Sequence, residues 1–258
     1  MAEGTRYERS GDVGVVVLDE PPLNLFGEKL TGDLLRALDE AVADEPRALL
    51  VRAEGDVFTG GADVHVFHKK TPEQASEFFG DLIRIVHTLE EMPWPTIASV
   101  HGLCLTAGLE LALGCDMIWA AESARFGLVE IVVGLTPAMG GTQRMAERAG
   151  PARAREFVMS GGLYDAETLE RWNVVNRVLP EADLAEKSMR FAERLAAGPT
   201  KANAATKRMV RAYLDHGVRG ADERIGEIAG SLFATEDLQK AVESFLEHGP
   251  GKATFANR

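Results

Sequence analysis

The first half of the chain alternates between short apolar strands and amphipathic helices, and this alternation limits its fold more than any other feature. Apolar and β-branched runs predict strands at 13–18, 48–51, 96–100 and 116–120. Apolar residues spaced three and four apart predict helices at 31–42, 72–89 and 109–113. Repeated strand, helix and strand is typical of a parallel sheet with crossover helices, so we expect an α/β fold.

Beyond residue 140 the pattern becomes mainly helical. It predicts helices at 142–149, 152–159, 166–171, 184–196, 201–214 and 237–247, and one strand at 174–178. We therefore divide the chain into a core over residues 1–198 and a helical C-terminal region over residues 199–258.

Composition excludes several classes of partner. The net charge is −12, from 28 Lys and Arg against 40 Asp and Glu, which disfavours binding to nucleic acid or to anionic membranes. Cys104 and Cys115 lie in apolar segments, so we expect two buried thiols and no disulfide. The N-terminus has no apolar signal core, and no apolar run approaches the ~18 residues of a membrane span. These features predict a cytoplasmic protein.

Two glycine-bearing turns could bring backbone N–H groups close to a ligand. The first contains Gly60 and Gly61 and follows a predicted strand, and the second, with Gly108, precedes the helix at 109–113. Glycine permits close approach, and the start of a helix leaves N–H groups unpaired. Each turn taken alone is better explained by a structural role, as a tight turn or as close helix packing, than by ligand binding.

Glu110 and Glu130 each stand beside a glycine and an apolar run. Burial raises the pKa of a carboxyl group towards the range in which it can both accept and donate a proton near neutrality. Taken singly, Glu110 could serve the dipole of its helix and Glu130 could be a surface residue. Together with the two turns, they predict an acid/base pair beside an oxyanion hole.

No metal site or bound cofactor is expected. His65 and His68 are three residues apart, but a third ligand is missing from the segment around them. The chain lacks a nucleophile elbow and a dinucleotide fingerprint, and Gly140-Gly141-Thr142 is interpreted as the start of a helix.

Several of these segments together resemble the enoyl-CoA hydratase/isomerase family, also called the crotonase family. The resemblance is carried by segments 58–63, 102–112, 115–116, 126–130, 140–144 and 241–247, with Lys252 and Phe255 beyond them. It implies a crotonase-like spiral of ββα units with a helical C-terminal region that forms trimers, often paired into hexamers, and that closes the site. It also implies an acyl-CoA thioester as substrate, with coenzyme A as part of that substrate.

The resemblance also implies roles for particular residues. The backbone N–H groups of Ala62 and Ala107 would form the oxyanion hole for the thioester oxygen. Glu110 would be the base on a water molecule, and Glu130 the acid that protonates C2 of a trans-2-enoyl-CoA. The remaining residues expected to bind substrate are Gly60, Gly61, Asp63, Gly108, Lys252 and Phe255.

The chain departs from the family pattern at several positions. Ala107 replaces a usual glycine, and Val129 replaces a common proline before the second glutamate. A basic residue that often helps to hold CoA phosphate is missing near Pro21-Pro22. Asn173 stands where glycine is usual, and asparagine tolerates the same left-handed backbone. Leu82, Ile83, Val133 and Leu135 are candidates for the acyl pocket, although burial in the core explains each of them better.

Three functions remain open at this stage. The first is an enoyl-CoA hydratase, which the retention of both glutamates favours. The second is a Δ3,Δ2-enoyl-CoA isomerase or another crotonase-type lyase, which would use the same oxyanion hole. The third is a non-catalytic acyl-CoA-binding scaffold that is retained for its trimer surface.

Overall fold

A computed structural model describes residues 4–257 of the chain. Its larger sheet contains six strands: β1 (Arg6–Ser10), β2 (Val13–Leu18), β3 (Ala48–Ala53), β4 (Thr96–Val100), β6 (Met117–Ala121) and β9 (Arg177–Leu179). A smaller sheet contains β5 (Leu103–Leu105), β7 (Arg125–Gly127) and β8 (Tyr164–Asp165). The helices are α1 (Glu28–Asp44), α2 (Pro72–Glu91), α3 (Ala107–Gly114), α4 (Gly141–Ala149), α5 (Pro151–Ser160), α6 (Ala166–Arg171), α7 (Glu181–Ala196), α8 (Thr200–Asp222), α9 (Ile225–Ile228) and α10 (Glu236–His248).

Strand order in the larger sheet is β1-β2-β3-β4-β6-β9. The pair β1 and β2 is antiparallel, and every later pair is parallel. Helices α1 and α2 pack on one face, and α7 packs on the other. Burial on both faces explains why β2 is a continuous apolar run rather than an alternating one.

The predicted strands and helices of the first half are confirmed, and so are the predicted helices of the second half. The strand predicted at 174–178 is wrong in its bounds, because β9 covers only Arg177–Leu179. The N–H groups of Val174 and Val175 both donate to the carbonyl of Leu169 and form a turn after α6. The two valines are buried in that turn, so their apolar character imitated a strand. Asn173 adopts the left-handed backbone conformation that was expected at this position, with a φ of 63°.

Four short strands were not predicted from the sequence. β1, β5, β7 and β8 have five residues or fewer, and no clear alternation marks them. Helix α8 also runs further than predicted, to Asp222, with a non-helical backbone at Gly217. None of the helices in residues 4–257 is long and apolar enough to cross a membrane.

The smaller sheet positions the segments that carry the candidate site. β5 and β7 run parallel, with Leu105 opposite Gly127. Thr59 forms a parallel bridge to Cys104 in β5. Three chain segments therefore leave this sheet at the same edge, and they lead into the 60–63 turn, into α3 and into the Glu130 segment. Carboxyl ends of parallel strands are a common location for ligand sites.

Asn24 ties the 20–27 loop to the chain that leads into the 60–63 turn. Its side chain is 1% exposed and has four hydrogen-bond contacts. The Oδ1 atom accepts the N–H of Glu20 at 2.7 Å, and Nδ2 donates to the carbonyls of Glu54, Val57 and Phe58 at 3.0 to 3.2 Å. This residue therefore satisfies buried backbone groups from two loops at once.

We expect Asn24→Ala to lower the free energy of unfolding by about 2–4 kcal/mol, because buried backbone groups lose their partners. Urea unfolding at fixed protein concentration measures the change. Asn203→Ala, at a partly exposed position in α8, is the matched control and should change stability by less than about 0.5 kcal/mol. Equal effects of the two substitutions would contradict the anchoring role of Asn24.

Candidate active site

Glu110 lies in the first turn of α3 and is 2% exposed. Its Oε1 accepts the N–H of Met139 at 2.8 Å and the N–H of Gly141 at 2.7 Å. Helix α4 begins at Gly141, with Gly140 as its N-cap, so the predicted helix start is confirmed and the carboxyl binds at the amino end of that helix. Burial and the nearby charge of Glu130 raise the pKa of Glu110 to about 7, against the opposing effect of the two N–H donors.

Glu130 begins a 3-10 helix that covers Glu130–Val133, and its side chain is 9% exposed. Its Oε2 atom is buried and has no hydrogen-bond partner among residues 4–257. Burial raises the pKa of Glu130 to about 7. A buried carboxyl oxygen without a partner is costly, so it points to a group that binds there.

Arg144 supports the α4 side of this arrangement, and the sequence analysis noted it only as part of a motif. Its guanidinium makes a bidentate pair with Glu90, at 2.8 and 2.6 Å, and also donates to the carbonyl of Gly140. The positive charge of Arg144 lowers the pKa of Glu110 and so partly offsets burial. The pair with Glu90 therefore joins α2 to the turn that holds the Glu110 carboxyl.

The N–H groups of the 60–63 turn are all paired within the protein. Gly60 donates to the Leu23 carbonyl and Asp63 to the Phe26 carbonyl. Gly61 donates to Thr59 Oγ1 at 2.9 Å, and Ala62 donates to Thr106 Oγ1 at 2.8 Å. The predicted donor at Ala62 thus has a side-chain partner in this structure.

Ala107 presents an open donor. It is the first residue of α3, and its N–H has no acceptor among the described residues. Thr106 precedes it and binds both neighbouring segments, since its N–H donates to the carbonyl of Gly127 and its own carbonyl accepts the N–H of Glu110. Ala62, Ala107 and the Glu130 segment are therefore brought together around Thr106.

Gly108 packs directly against Thr59. A Cβ atom at Gly108 would lie 1.6 Å from Thr59 Cγ2, so no larger residue fits. Close packing of α3 on the segment before the 60–63 turn accounts for this glycine, and it brings Ala107 towards Ala62.

Asp63 uses its carboxylate within the protein. It caps a 3-10 helix, and its Oδ1 accepts the backbone N–H of His65 at 3.0 Å and lies 2.7 Å from His65 Nδ1. These contacts hold the pKa of Asp63 below its ordinary value. Within residues 4–257, no group of three or more His, Cys, Asp or Glu side chains could hold a metal ion. Both cysteines are buried free thiols, as predicted.

Among the described residues, the hydrogen bonds of the C-terminal tail within one chain are to Arg47 and to Asp237 of α10. The carbonyl of Phe255 accepts a hydrogen bond from Arg47 at 3.0 Å, and Asp237 binds the N–H groups of Ala256 and Asn257. Arg47 lies directly before β3, at the opposite end of that strand from the segment that leads to the 60–63 turn. Lys252 is exposed on the same tail. Their predicted role in binding substrate thus lacks support from contacts within this chain.

A cleft beside the 60–63 turn is lined in part by a positively charged side chain, Lys29, which was not among the predicted site residues. Its walls include Pro21, Pro22, Leu25 and Asp63, with Lys29 at one side. The Lys29 ammonium contacts Glu20 and Asp33. Lys29 lies in α1, whereas the resemblance to the family points to a basic residue in the loop near Pro21-Pro22, so the motif did not indicate it.

The four acyl-pocket candidates differ in exposure. Leu82 is buried in the core, as the simpler explanation predicted, while Ile83 and Leu135 are half-buried. The prediction of core burial is wrong for Val133, which lies in the 3-10 helix that begins at Glu130 and is 56% exposed.

Comparison with known proteins identifies the family of this chain. The family model for enoyl-CoA hydratase/isomerase matches residues 8–257. A probable enoyl-CoA hydratase of Rhizobium meliloti is 32% identical over 259 residues, which covers 97% of each chain. A probable enoyl-CoA hydratase of Mycobacterium bovis is 32% identical over 247 residues, or 93% of each chain.

Solved structures agree as well. The crystal structure of an enoyl-CoA hydratase subunit I from Geobacillus kaustophilus superimposes with a TM-score of 0.92 at 31% identity, and the match covers 99% of this chain and 98% of that one. The expected crotonase-like fold is therefore confirmed. On the match over residues 8–257 and on the fold, this chain belongs to the enoyl-CoA hydratase/isomerase family.

Proposed function

We propose that this protein is an enoyl-CoA hydratase that adds water across the double bond of a trans-2-enoyl-CoA and forms a 3-hydroxyacyl-CoA. The observation that carries the proposal is the pair of buried carboxyls, Glu110 and Glu130, each with a pKa near 7. The three relatives named above, two probable enoyl-CoA hydratases and one solved enoyl-CoA hydratase subunit, support the same reaction. Coenzyme A enters as part of the substrate, and we propose no separate cofactor.

The hydrogen-bond partners of the two carboxyls support different roles. Two N–H donors on Oε1 of Glu110 favour its ionised form, which suits a base. The Glu130 carboxyl has one buried oxygen without a partner, which favours its protonated form and suits an acid. Glu110 then takes a proton from water as the water oxygen bonds to C3, and Glu130 gives its proton to C2. Proton exchange with solvent restores both groups.

Addition at C3 moves negative charge onto the thioester oxygen. We propose that this oxygen binds at the open N–H of Ala107, beside Thr106, whose Oγ1 accepts the N–H of Ala62. A single preorganised donor of this kind lowers a barrier by about 3–4 kcal/mol. The same oxygen site would serve an isomerase, but a double-bond shift needs no water, and one carboxyl can move the proton. The presence of two carboxyls with raised pKa values therefore favours the hydratase.

We propose that residues 199–258 form an interface between copies in a trimer or a dimer of trimers. The support is a set of large apolar side chains that helices α8, α9 and α10 and the turn before α10 leave exposed: Val218, Ile225, Phe233, Phe245 and Leu246. If Lys252 and Phe255 bind substrate, they do so in the site of a neighbouring copy. Lys29, beside the 60–63 turn, is our candidate for contact with a CoA phosphate. A cytoplasmic location stays a prediction from the sequence.

We expect purified protein to remove the conjugated-thioester absorbance of crotonyl-CoA, and Glu110→Gln and Glu130→Gln each to lower kcat by at least about 10²-fold. Glutamine preserves shape but cannot exchange a proton. Glu40→Gln, at an exposed site on α1, is the control and should retain full activity. Full hydration by either active-site variant would disprove the assigned role of that carboxyl.

The pH dependence of the rate follows from the two carboxyls. Glu110 must be ionised and Glu130 protonated in the active form, and both pKa values lie near 7. We therefore expect kcat/KM for crotonyl-CoA to form a narrow bell with its maximum near pH 7. A rate that is flat from pH 5 to 9 would contradict this assignment.

Stability should also depend on the charge of Glu130. Its pKa rises from 4.5 to about 7 on folding, so the folded state holds the proton more tightly and loses stability as pH rises between these values. We expect Glu130→Gln to be more stable relative to the parent at pH 8 than at pH 5, by about 2–3 kcal/mol. Urea unfolding at both pH values measures this difference, which should vanish for Glu40→Gln.

A further inference from the structure

Thr106 has a backbone conformation that threonine rarely adopts. Its φ is 47° and its ψ is −122°, outside the regions favoured by β-branched residues. Such strain persists where surrounding contacts enforce it, and it concentrates at functional sites. Here the contacts are the hydrogen bonds to Gly127 and Glu110, which fix Thr106 between β7 and α3.

The Thr106 side chain fits against the 60–63 turn. Its Oγ1 accepts the N–H of Ala62 at 2.8 Å, and a Cβ atom at Gly61 would lie 2.2 Å from that oxygen. Gly61, which has a φ of +99°, thus leaves the space that the hydroxyl fills. An N–H that points at Oγ1 cannot point equally well at a second oxygen, so the hydroxyl stands between Ala62 and any ligand in line with that N–H.

The proton of this hydroxyl has no acceptor. Thr106 is 8% exposed, and none of the residues 4–257 accepts a hydrogen bond from its Oγ1. A buried hydroxyl has one donor, and here only its accepting side is used. The next residue, Ala107, has the open N–H. Two unpaired donors therefore stand at consecutive positions at the start of α3.

We propose that the hydroxyl of Thr106 is a direct donor to the thioester oxygen and forms the oxyanion hole together with the Ala107 N–H. This inference rests on the proposed binding of an acyl-CoA thioester at this site. Ala62 then acts through Thr106, since its N–H polarises the hydroxyl and strengthens its outgoing hydrogen bond. No covalent bond to Thr106 forms, and its proton stays on Oγ1 throughout.

Unlike a backbone donor, this hydroxyl can be removed by substitution. Thr106→Val preserves shape, β-branching and the backbone constraint, and Thr106→Ser preserves the hydroxyl. We expect Thr106→Val to lower kcat/KM for crotonyl-CoA by about 10²–10³-fold and Thr106→Ser by less than about fivefold. Thr31→Val, at a buried threonine on α1 whose hydroxyl also has no partner among the described residues, is the matched control and should retain activity. Circular dichroism and thermal melting establish that each variant is folded.

A spectroscopic measurement separates this inference from the proposed hydration. Butyryl-CoA is a saturated thioester that cannot be hydrated, and hydrogen bonds to its carbonyl lower the frequency of the C=O stretch. Difference infrared spectra should show this lowering in the parent and in Thr106→Ser, and a partial return towards the free frequency in Thr106→Val. This result without hydration of crotonyl-CoA would support the Thr106 donor and refute the hydratase.

Other outcomes overturn the proposal. If Thr106→Val matches or exceeds the parent in kcat/KM, the hydroxyl competes with the substrate oxygen for Ala62 instead of helping it. If Thr106→Ser loses as much activity as Thr106→Val, the side chain has only a structural role. An unchanged C=O frequency in Thr106→Val, with hydration intact in the parent, would remove the hydroxyl from the oxyanion hole and leave the hydratase standing.

Discussion

The contact between the Glu110 carboxyl and the amino end of α4 is the constraint on which the site depends. A carboxyl that is almost fully buried needs partners, and the N–H groups of Met139 and Gly141 provide them for one oxygen. The contact also fixes how α3 and α4 pack, because Glu110 belongs to the first and Gly141 to the second. Arg144 and its pair with Glu90 then connect α4 to α2. Three ionisable side chains, Glu110, Arg144 and Glu90, thus link the packing of three helices to the chemistry that we propose.

The two glutamates have the same side chain, but the fold gives their carboxyls different hydrogen-bond partners and so suits them to different acid/base roles. Burial raises both pKa values to about 7, so burial alone does not distinguish them. Their hydrogen bonds do, because Glu110 has two backbone donors and Glu130 has a buried oxygen without a partner. A proton that is equally available from both groups near neutrality is suited to transfer in either direction, as a reversible addition of water requires.

The small parallel sheet explains why distant segments meet. Thr59, β5 and β7 end at one edge, and the turn at 60–63, the start of α3 and the Glu130 segment follow them. Thr106 joins all three through its backbone and its hydroxyl. The strained backbone of Thr106 is consistent with this position, since the surrounding hydrogen bonds leave it little freedom.

The sequence by itself determined the α/β class, most of the longer helices and strands, the family, and the two glutamates. It could do so because periodic burial and glycine-rich turns are local signals. Short strands such as β5 and β7 have no such signal, and the buried Val174 and Val175 imitated one. Only the tertiary structure decided the partners of the site residues. Ala62 donates to Thr106, the N–H of Ala107 has no acceptor among the described residues, Lys29 borders the cleft, and the carbonyl of Phe255 binds Arg47. Hydrogen bonds between residues that are 29 to 208 positions apart depend on how the chain packs, and no local pattern encodes them.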